Sequence, residues 1–505
     1  MDYLIRLAQM HEDFRLAEIK SLALLHSIKI QILSYSTHSP FLIIRILSYL
    51  GSTFSTAAEA ARAIISRSVL SGGIYELWGM SDESSGSGNY ENLHSDVRAR
   101  TSTEIWSQYK DCSFKFSVDA FSGKRTPAEQ REIINGFSYL GFEGQIVMQS
   151  PGVEFCVFEE WSMDRTFHDQ KKAPGSESGP LGFQTNHGIE GSTPTSDHSP
   201  HRLYLGRLIA TSPRAHLAKK HSLKTRPYIS TTSMDAVLAL VTANLALVAP
   251  TKLIYDPFVG TGGFLLAAAE FGAEVWGSDI DGRSFRGTGG KSAKTGRGCD
   301  AGVGKNFKKY GLGDLFADCF IGDLTHSPFR RPSPQCPHKG LFDAIISDPP
   351  YGVREGLKVL GSREEQTENR GPHMIDGVPA HQCPGYIAPK KPYSFARMLD
   401  DILDFAADML VENGRLTFWM PSANEDNGDL RIPGHHDLEL IECSVQSFNK
   451  WSRRLLVYRR RTIDEVNMGP DSGANTTRRP SENIAGKTAS DLNPFRRKYF
   501  EKSRT

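Results

Sequence analysis

Leu253-Ile254-Tyr255-Asp256-Pro257-Phe258-Val259-Gly260-Thr261-Gly262-Gly263-Phe264 is the stretch on which the fold turns. Its apolar start reads as a β-strand from Lys252 to Phe258, and its glycines hand the chain to a helix from Gly262 to Phe271. A strand opening into a helix through glycines is the first half of a βαβ unit. Backbone amides at such a turn come close to a ligand, and the positive helix end favours a negative group. A dinucleotide-binding fingerprint requires a third glycine where this chain has Leu265, and the Asp256-Pro257-Phe258 prefix is foreign to it, which argues against a NAD-type site.

Outward from this stretch the βα alternation continues. Strands are expected at Glu274 to Ile280, Phe316 to Ile321, Phe342 to Ser347 and Arg415 to Met420, with a closing pair at Leu438 to Val445 and Leu455 to Arg459. Helices are expected at Asn306 to Tyr310 and Tyr393 to Val411, the latter closed by Gly414. The expectation is an α/β fold, a seven-stranded, Rossmann-like, doubly wound sheet whose ligand lies at the carboxyl ends of the strands.

Acidic residues mark those ends. Asp279, in Gly277-Ser278-Asp279-Ile280-Asp281, is placed to accept both ribose hydroxyls of a nucleoside; Asp281 competes for that role but suits a helix cap. Asp323 can accept from an adenine amine, or serve a turn. With Asp256, Phe258, Gly260, Thr261 and Gly262, these residues suggest S-adenosylmethionine as the ligand.

Asp348-Pro349-Pro350-Tyr351 follows the fourth strand, and Gly352 comes next. Rigid prolines between a carboxylate and an aromatic ring form a small clamp. The Asp348 carboxylate and the Pro349 carbonyl can accept hydrogen bonds from an exocyclic amine, drawing its lone pair out of conjugation. Tyr351 can stack on the base that carries the amine, a contact worth about 1–3 kcal/mol. The catalytic candidates are therefore Asp348, Pro349 and Tyr351. The clamp alone leaves adenine, cytosine, guanine and glutamine amides open as acceptors. The cofactor loop precedes it, an order that excludes the permuted DNA amino-methyltransferases. The histidines lack HExxH spacing, and the one HxxH, His198-Ser199-Pro200-His201, has no second ligand pair near it in the chain, so no metal centre is expected.

The first ~160 residues alternate strands and helices as a small α+β module, including an expected strand at Gln145 to Met148 and a helix at Asn92 to Tyr109. Composition then turns to Gly, Ser, Pro, Thr and His between Ser162 and Pro200, a flexible linker or insertion. His198 to Met234 holds no acidic residue but includes Arg202, Arg207, Arg214, Lys219, Lys220, Lys224 and Arg226, either a solvated face or an RNA-backbone contact. The expected domains are 1–161, 162–200, 201–461 and a carboxyl-terminal tail, 462–505.

A chain of 505 residues exceeds one compact domain, and its net charge of +1 gives no global basic field, so any nucleic-acid surface must be local. Seven scattered cysteines without CxxC argue against a disulfide framework and for a reducing compartment. The apolar run from Ala236 to Pro250 is too short to cross a bilayer, and a soluble, cytoplasmic protein is expected.

The motifs together resemble the catalytic-subunit family of eukaryotic tRNA guanosine-10 N2-methyltransferases. The resemblance rests on Arg226-Pro227-Tyr228, Thr231-Thr232-Ser233-Met234-Asp235, Asp256 to Gly262, Gly277 to Asp281, Ser347 to Gly352 and the closing Phe495-Arg496-Arg497-Lys498-Tyr499-Phe500. It implies a class I S-adenosylmethionine-dependent domain, a THUMP-containing amino-terminal region that binds tRNA, and a small zinc-binding activator subunit as partner. Two departures stand out: Gly263 where the family often has serine, and a long glycine-rich insertion after Asp281. Competing readings are a DNA adenine or cytosine amino-methyltransferase, a protein glutamine methyltransferase, and a non-catalytic RNA-binding scaffold.

Overall fold

Leu253–Asp256 lies at the centre of a seven-stranded sheet in the computed structural model. The structure describes residues 1–49, 53–81, 89–161, 199–287, 302–330, 340–353, 356–361, 374–383, 386, 389–423, 432–449, 451–468 and 487–501. The expected linker at 162–200, the insertion at 286–304, the polar loop at 354–391 and the tail at 462–505 fall largely or partly outside them.

Contacts divide the chain into two compact units: residues 1–9, 26–66 and 71–212 form the first, and 10–25, 67–70 and 213–505 the second. The boundaries at 161 and 201 are corrected accordingly. Arg202–Thr211 is a strand of the first unit, paired antiparallel with Val153–Glu160, so residues 162–198 are inserted between two neighbouring strands of one sheet. The helix Glu12–Leu25 belongs to the second unit, with Phe14 packed against Trp419 at 5.7 Å between ring centroids.

The first unit is a seven-stranded sheet in the order Lys29–Ser34, Phe41–Ser48, Asp2–Leu7, Ser71–Ser81, Arg202–Thr211, Val153–Glu160, Phe114–Phe121. Only its last pair is parallel. The strand expected at 145–148 reduces to a single bridge between Ile146 and Phe114. The helix expected from Asn92 to Tyr109 breaks at Thr101, whose hydroxyl donates to the Val97 carbonyl at 2.6 Å and ends the first piece. Ser71–Ser81 and Arg202–Thr211 are strands that propensity did not signal, because glycines interrupt the first and Arg202 and Arg207 obscure the second.

The second unit's sheet runs Phe316–Ile321, Glu274–Asp279, Leu253–Asp256, Phe342–Ser347, Leu410–Ala423, Trp451–Arg460, Leu438–Ser447. The first five strands are parallel and the closing pair antiparallel, as the hairpin reading expects. Strand residues alternate between two cores: Ile254, Ala344, Ile346, Trp419 and Val457 face one, while Tyr255, Phe342, Ile345, Phe418 and Tyr458 face the other. The first core is closed by Ala236–Leu245, a helix buried over every residue, and by Gly263–Glu270. The second is closed by the amphipathic helix Phe395–Met409. That helix ends at Met409 without Gly414; Asn413 takes the left-handed conformation beyond it, at φ +62°.

Glu18 ties the helix Glu12–Leu25 into this unit. Its fully buried carboxylate accepts from the Ser68 hydroxyl (2.7 Å), the Val69 and Leu70 amides (both 3.0 Å) and the Asn244 side-chain amide (2.7 Å). Burial pushes the Glu18 carboxyl above its ordinary value, and these four donors oppose the push. Replacing it by alanine strands all four donors in a dry interior. Glu18→Ala is expected to cost about 3–5 kcal/mol, read as a lower urea midpoint. A loss below about 1 kcal/mol would contradict this account.

Candidate active site

The sheet order reverses between Leu253–Asp256 and Phe342–Ser347, which are parallel neighbours with Ala344 opposite Ile254 and Ile345 opposite Tyr255. Helices leave on opposite faces at that point, so a crevice opens at the carboxyl strand ends. Four loops converge there, carrying Asp323, Asp279, Asp256 and Asp348 from four adjacent strands.

The glycine turn is built as the sequence requires. Gly260 and Gly262 lie at φ +50° and +75°, in the left-handed region that favours glycine. A Cβ on Gly262 would come within 2.6 Å of Val303 Cγ1, whereas one on Gly263 meets nothing nearer than Arg226 Nη1 at 3.6 Å. Thr261 is buried, its hydroxyl 2.8 Å from that of Ser233. Ser233 precedes Asp235, which caps Ala236–Leu245 by accepting from the Val237 and Leu238 amides. Phe258 donates its amide to Asp256 Oδ1 at 2.9 Å. The other Asp256 oxygen is buried without a protein partner. Burial pushes the Asp256 carboxyl well above the usual range, reinforced by the charges of Asp279 and Asp348.

Asp279 holds the turn. One oxygen accepts from the Gly260 amide at 3.0 Å and the other from the Asp281 amide at 2.9 Å. Burial raises its pKa, and those two amides oppose the rise. Asp281 is the helix cap that the sequence suggests: it accepts from the Arg283 amide and pairs with the Arg283 guanidinium at 2.7 Å. Asp323 is buried and takes the turn role. It accepts from the Thr325 amide (2.8 Å) and hydroxyl, and its second oxygen accepts from the Leu360 amide at 2.6 Å. Burial works to raise its pKa, but His326 and these donors outweigh it and leave the carboxyl below its ordinary value.

At the clamp, Pro349 is buried and Pro350 exposed. Asp348 Oδ1 is buried without a protein hydrogen bond. Burial lifts the Asp348 carboxyl to about 6, against the lowering effects of the Tyr351 hydroxyl and the Arg453 charge. The Tyr351 ring meets Trp451 edge-on, with centroids 6.0 Å apart, and Trp451 stacks on Phe448 at 4.5 Å. Arg453 and Trp451 were not singled out by sequence reasoning; the closing hairpin brings them to the clamp from about a hundred residues downstream, with no local signal. Ser233 was visible only within the resemblance.

The basic run does not act as one surface. Arg202 pairs with Glu160, Arg207 with Glu76 at 2.7 Å and Lys220 with Glu270 at 2.6 Å, while Arg226 is buried. Among the described residues no group of His, Cys, Asp and Glu could hold a metal ion, and no helix is long and apolar enough to cross a membrane.

A glycine cradle and two unsatisfied buried carboxylate oxygens suit a ligand that brings both a charged amino-acid end and hydroxyls. This crevice, with Asp348-Pro349-Pro350-Tyr351 one strand away, defines a class I S-adenosylmethionine-dependent methyltransferase. Residues 1–176 match the Tmrp11 THUMP N-terminal domain and residues 224–296 the RMKL-like methyltransferase domain. Relatives named tRNA (guanine(10)-N(2))-methyltransferase include that of Saccharomyces cerevisiae, 38% identical with 99% of this chain and 98% of the relative covered. That of Schizosaccharomyces pombe is 32% identical, with 99% and 96% covered, and the human one 32%, with 90% and 87% covered. The chain belongs to the tRNA (guanine(10)-N(2))-methyltransferase family.

The turn geometry separates its two neighbouring glycines. Gly262→Ala is expected to lower stability by about 1–3 kcal/mol through strain at positive φ and the Val303 contact. Gly263→Ser, whose Cβ would make only an ordinary contact with Arg226 Nη1 at 3.6 Å, should leave the thermal midpoint unchanged. Differential scanning fluorimetry of the two variants checks the contrast.

Proposed function

We propose that the chain transfers a methyl group from S-adenosylmethionine to the exocyclic N2 amine of guanosine 10 in tRNA, with Asp348-Pro349-Pro350-Tyr351 as the amine clamp. The observation that carries this reading is the unpartnered Asp348 oxygen, buried at the end of the strand beside the glycine cradle.

When bound, S-adenosylmethionine supplies an electrophilic methyl group on a sulfonium. Asp256, Phe258, Gly260, Thr261 and Gly262 would hold its amino-acid end and Asp279 its ribose, while Asp323, expected at its adenine, has both oxygens occupied by the Thr325 and Leu360 amides. Asp279 keeps lone pairs beyond those used by the Gly260 and Asp281 amides, enough to accept from hydroxyls. Asp348 and the Pro349 carbonyl accept the two N–H groups of the guanine amine and turn its lone pair towards the methyl. Tyr351, braced by Trp451, supplies the stacking surface. Placement in a near-attack geometry provides much of the rate gain, and no strong base is needed. The proton leaves to solvent after transfer.

The amino-terminal region, up to about residue 161 in the sequence reading, binds the tRNA. The resemblance supports a small zinc-binding activator subunit as partner, and the scattered cysteines without CxxC support a reducing, cytoplasmic setting. A DNA amino-methyltransferase is the rival, since the clamp itself does not name the base.

Assays with labelled methyl donor on tRNA transcripts test the reading. Label is expected on tRNA carrying guanosine 10, and neither on the matched tRNA with adenosine there nor on DNA; label only in DNA would overturn it. Asp348→Ala, which removes the acceptor, should lower transfer at least about 100-fold with tRNA binding retained. The ionised Asp348 carboxylate is the stronger acceptor for the amine. Transfer should therefore rise with pH through about 6 and fall as acid protonates the group.

Calorimetry with S-adenosylhomocysteine separates the two acids after the second strand. Asp279→Ala is expected to weaken binding about tenfold or more, while Asp281→Ala changes it less than about threefold.

A further inference from the structure

Pro349 and Pro350 carry no N–H, so the clamp loop is denied the backbone donors that would normally anchor it to a neighbouring strand. Its anchors come instead from the far end of the chain. Asn493 Nδ2 donates to the Tyr351 carbonyl at 2.9 Å. Arg496 Nη1 donates to the Gly352 carbonyl at 2.7 Å and also to that of Val353. Three consecutive carbonyls immediately after the clamp are thus held by two side chains some 140 residues downstream.

The latch is itself fixed on three sides. Asn493 Oδ1 accepts from the Arg496 amide at 3.1 Å, capping the helix Pro494–Glu501, so one side chain starts the helix and grips the loop. The Leu492 carbonyl accepts from the Phe395 amide at 2.9 Å, tying the segment to the helix Phe395–Met409. Phe495 is buried 5.9 Å from Trp451, the ring that also braces Tyr351. Loop and latch are fitted to each other: Gly352 sits at φ +68°, and a Cβ there would come within 2.7 Å of Asn493 Nδ2.

We infer that the carboxyl-terminal segment Leu492 to Arg496 is a positioning element of the active site, with Asn493 and Arg496 setting the clamp's geometry through the Tyr351, Gly352 and Val353 carbonyls. The inference rests on the clamp reading of Asp348 to Tyr351. A clamp that works by placement loses rate when its loop drifts by a fraction of an ångström, while the glycine cradle and its neighbouring acids stay untouched. The defect belongs in kcat.

Asn493→Asp in the full-length protein is the discriminating variant. It keeps the oxygen that caps the helix and nearly the same volume, but loses the donor and turns a carboxylate towards the Tyr351 carbonyl. We expect kcat for tRNA methylation to fall about tenfold or more, with KM for both substrates and calorimetric affinity for S-adenosylhomocysteine within about threefold of the parent. Arg496→Gln should show the same split, and Arg496→Lys, which keeps one donor, should recover part of the rate. Should Asn493→Asp fold poorly, the Arg496 pair decides alone. Parental kcat in Asn493→Asp and Arg496→Gln would overturn the latch, as would equal losses in kcat and S-adenosylhomocysteine affinity. Full turnover in Asp348→Ala, which removes the acceptor altogether, would instead refute the clamp reading beneath it, so the two failures are distinguishable.

Discussion

Parallel pairing of Leu253–Asp256 with Phe342–Ser347 is the constraint on which the site depends. It sets the glycine turn and the clamp loop side by side, though they are about ninety residues apart in the chain. The strand order reverses at this pair, so helices depart to opposite faces and leave the crevice open. The pairing is held because both strands are buried on both faces, with Ile254 and Ala344 in one core and Tyr255 and Ile345 in the other. A slip by one residue would exchange every side chain between the two cores.

Four acids at adjacent strand ends make an electrostatically expensive crevice, and the structure resolves the expense unevenly. Asp323 and Asp279 have both oxygens hydrogen-bonded to the backbone. Asp256 and Asp348 each keep a buried oxygen with no protein partner, and burial raises both their pKa values. The two under-satisfied carboxylates flank the strand pair at the centre.

Much of the second unit was legible from residue pattern. Each of its seven strands lies where apolar runs place it, within a few residues, because a parallel sheet covered on both faces demands continuous apolar strands. Gly260 and Gly262 were readable because positive φ leaves few alternatives, and Asp281 was readable as a cap. The first unit was less legible. Arg202–Thr211 looked like a charged run because its arginines pair with Glu160 and Glu76 on other strands, partners invisible in a linear reading. Helix Glu12–Leu25 was assigned with its chain neighbours, yet Glu18 and Phe14 bind it into the other unit.

By itself the sequence determined the fold class, the glycine turn, the acids at the strand ends and the Asp348-Pro349-Pro350-Tyr351 loop after the fourth strand, since each depends on local backbone geometry or on side-chain period. Only the tertiary structure decided that Trp451 and Arg453 stand beside the Asp348–Tyr351 loop, and that Asn493 and Arg496 grip its carbonyls. The reason is physical. A cap or a turn is written in neighbouring residues, whereas a hydrogen bond between positions 351 and 493 exists only after the sheet has brought them together.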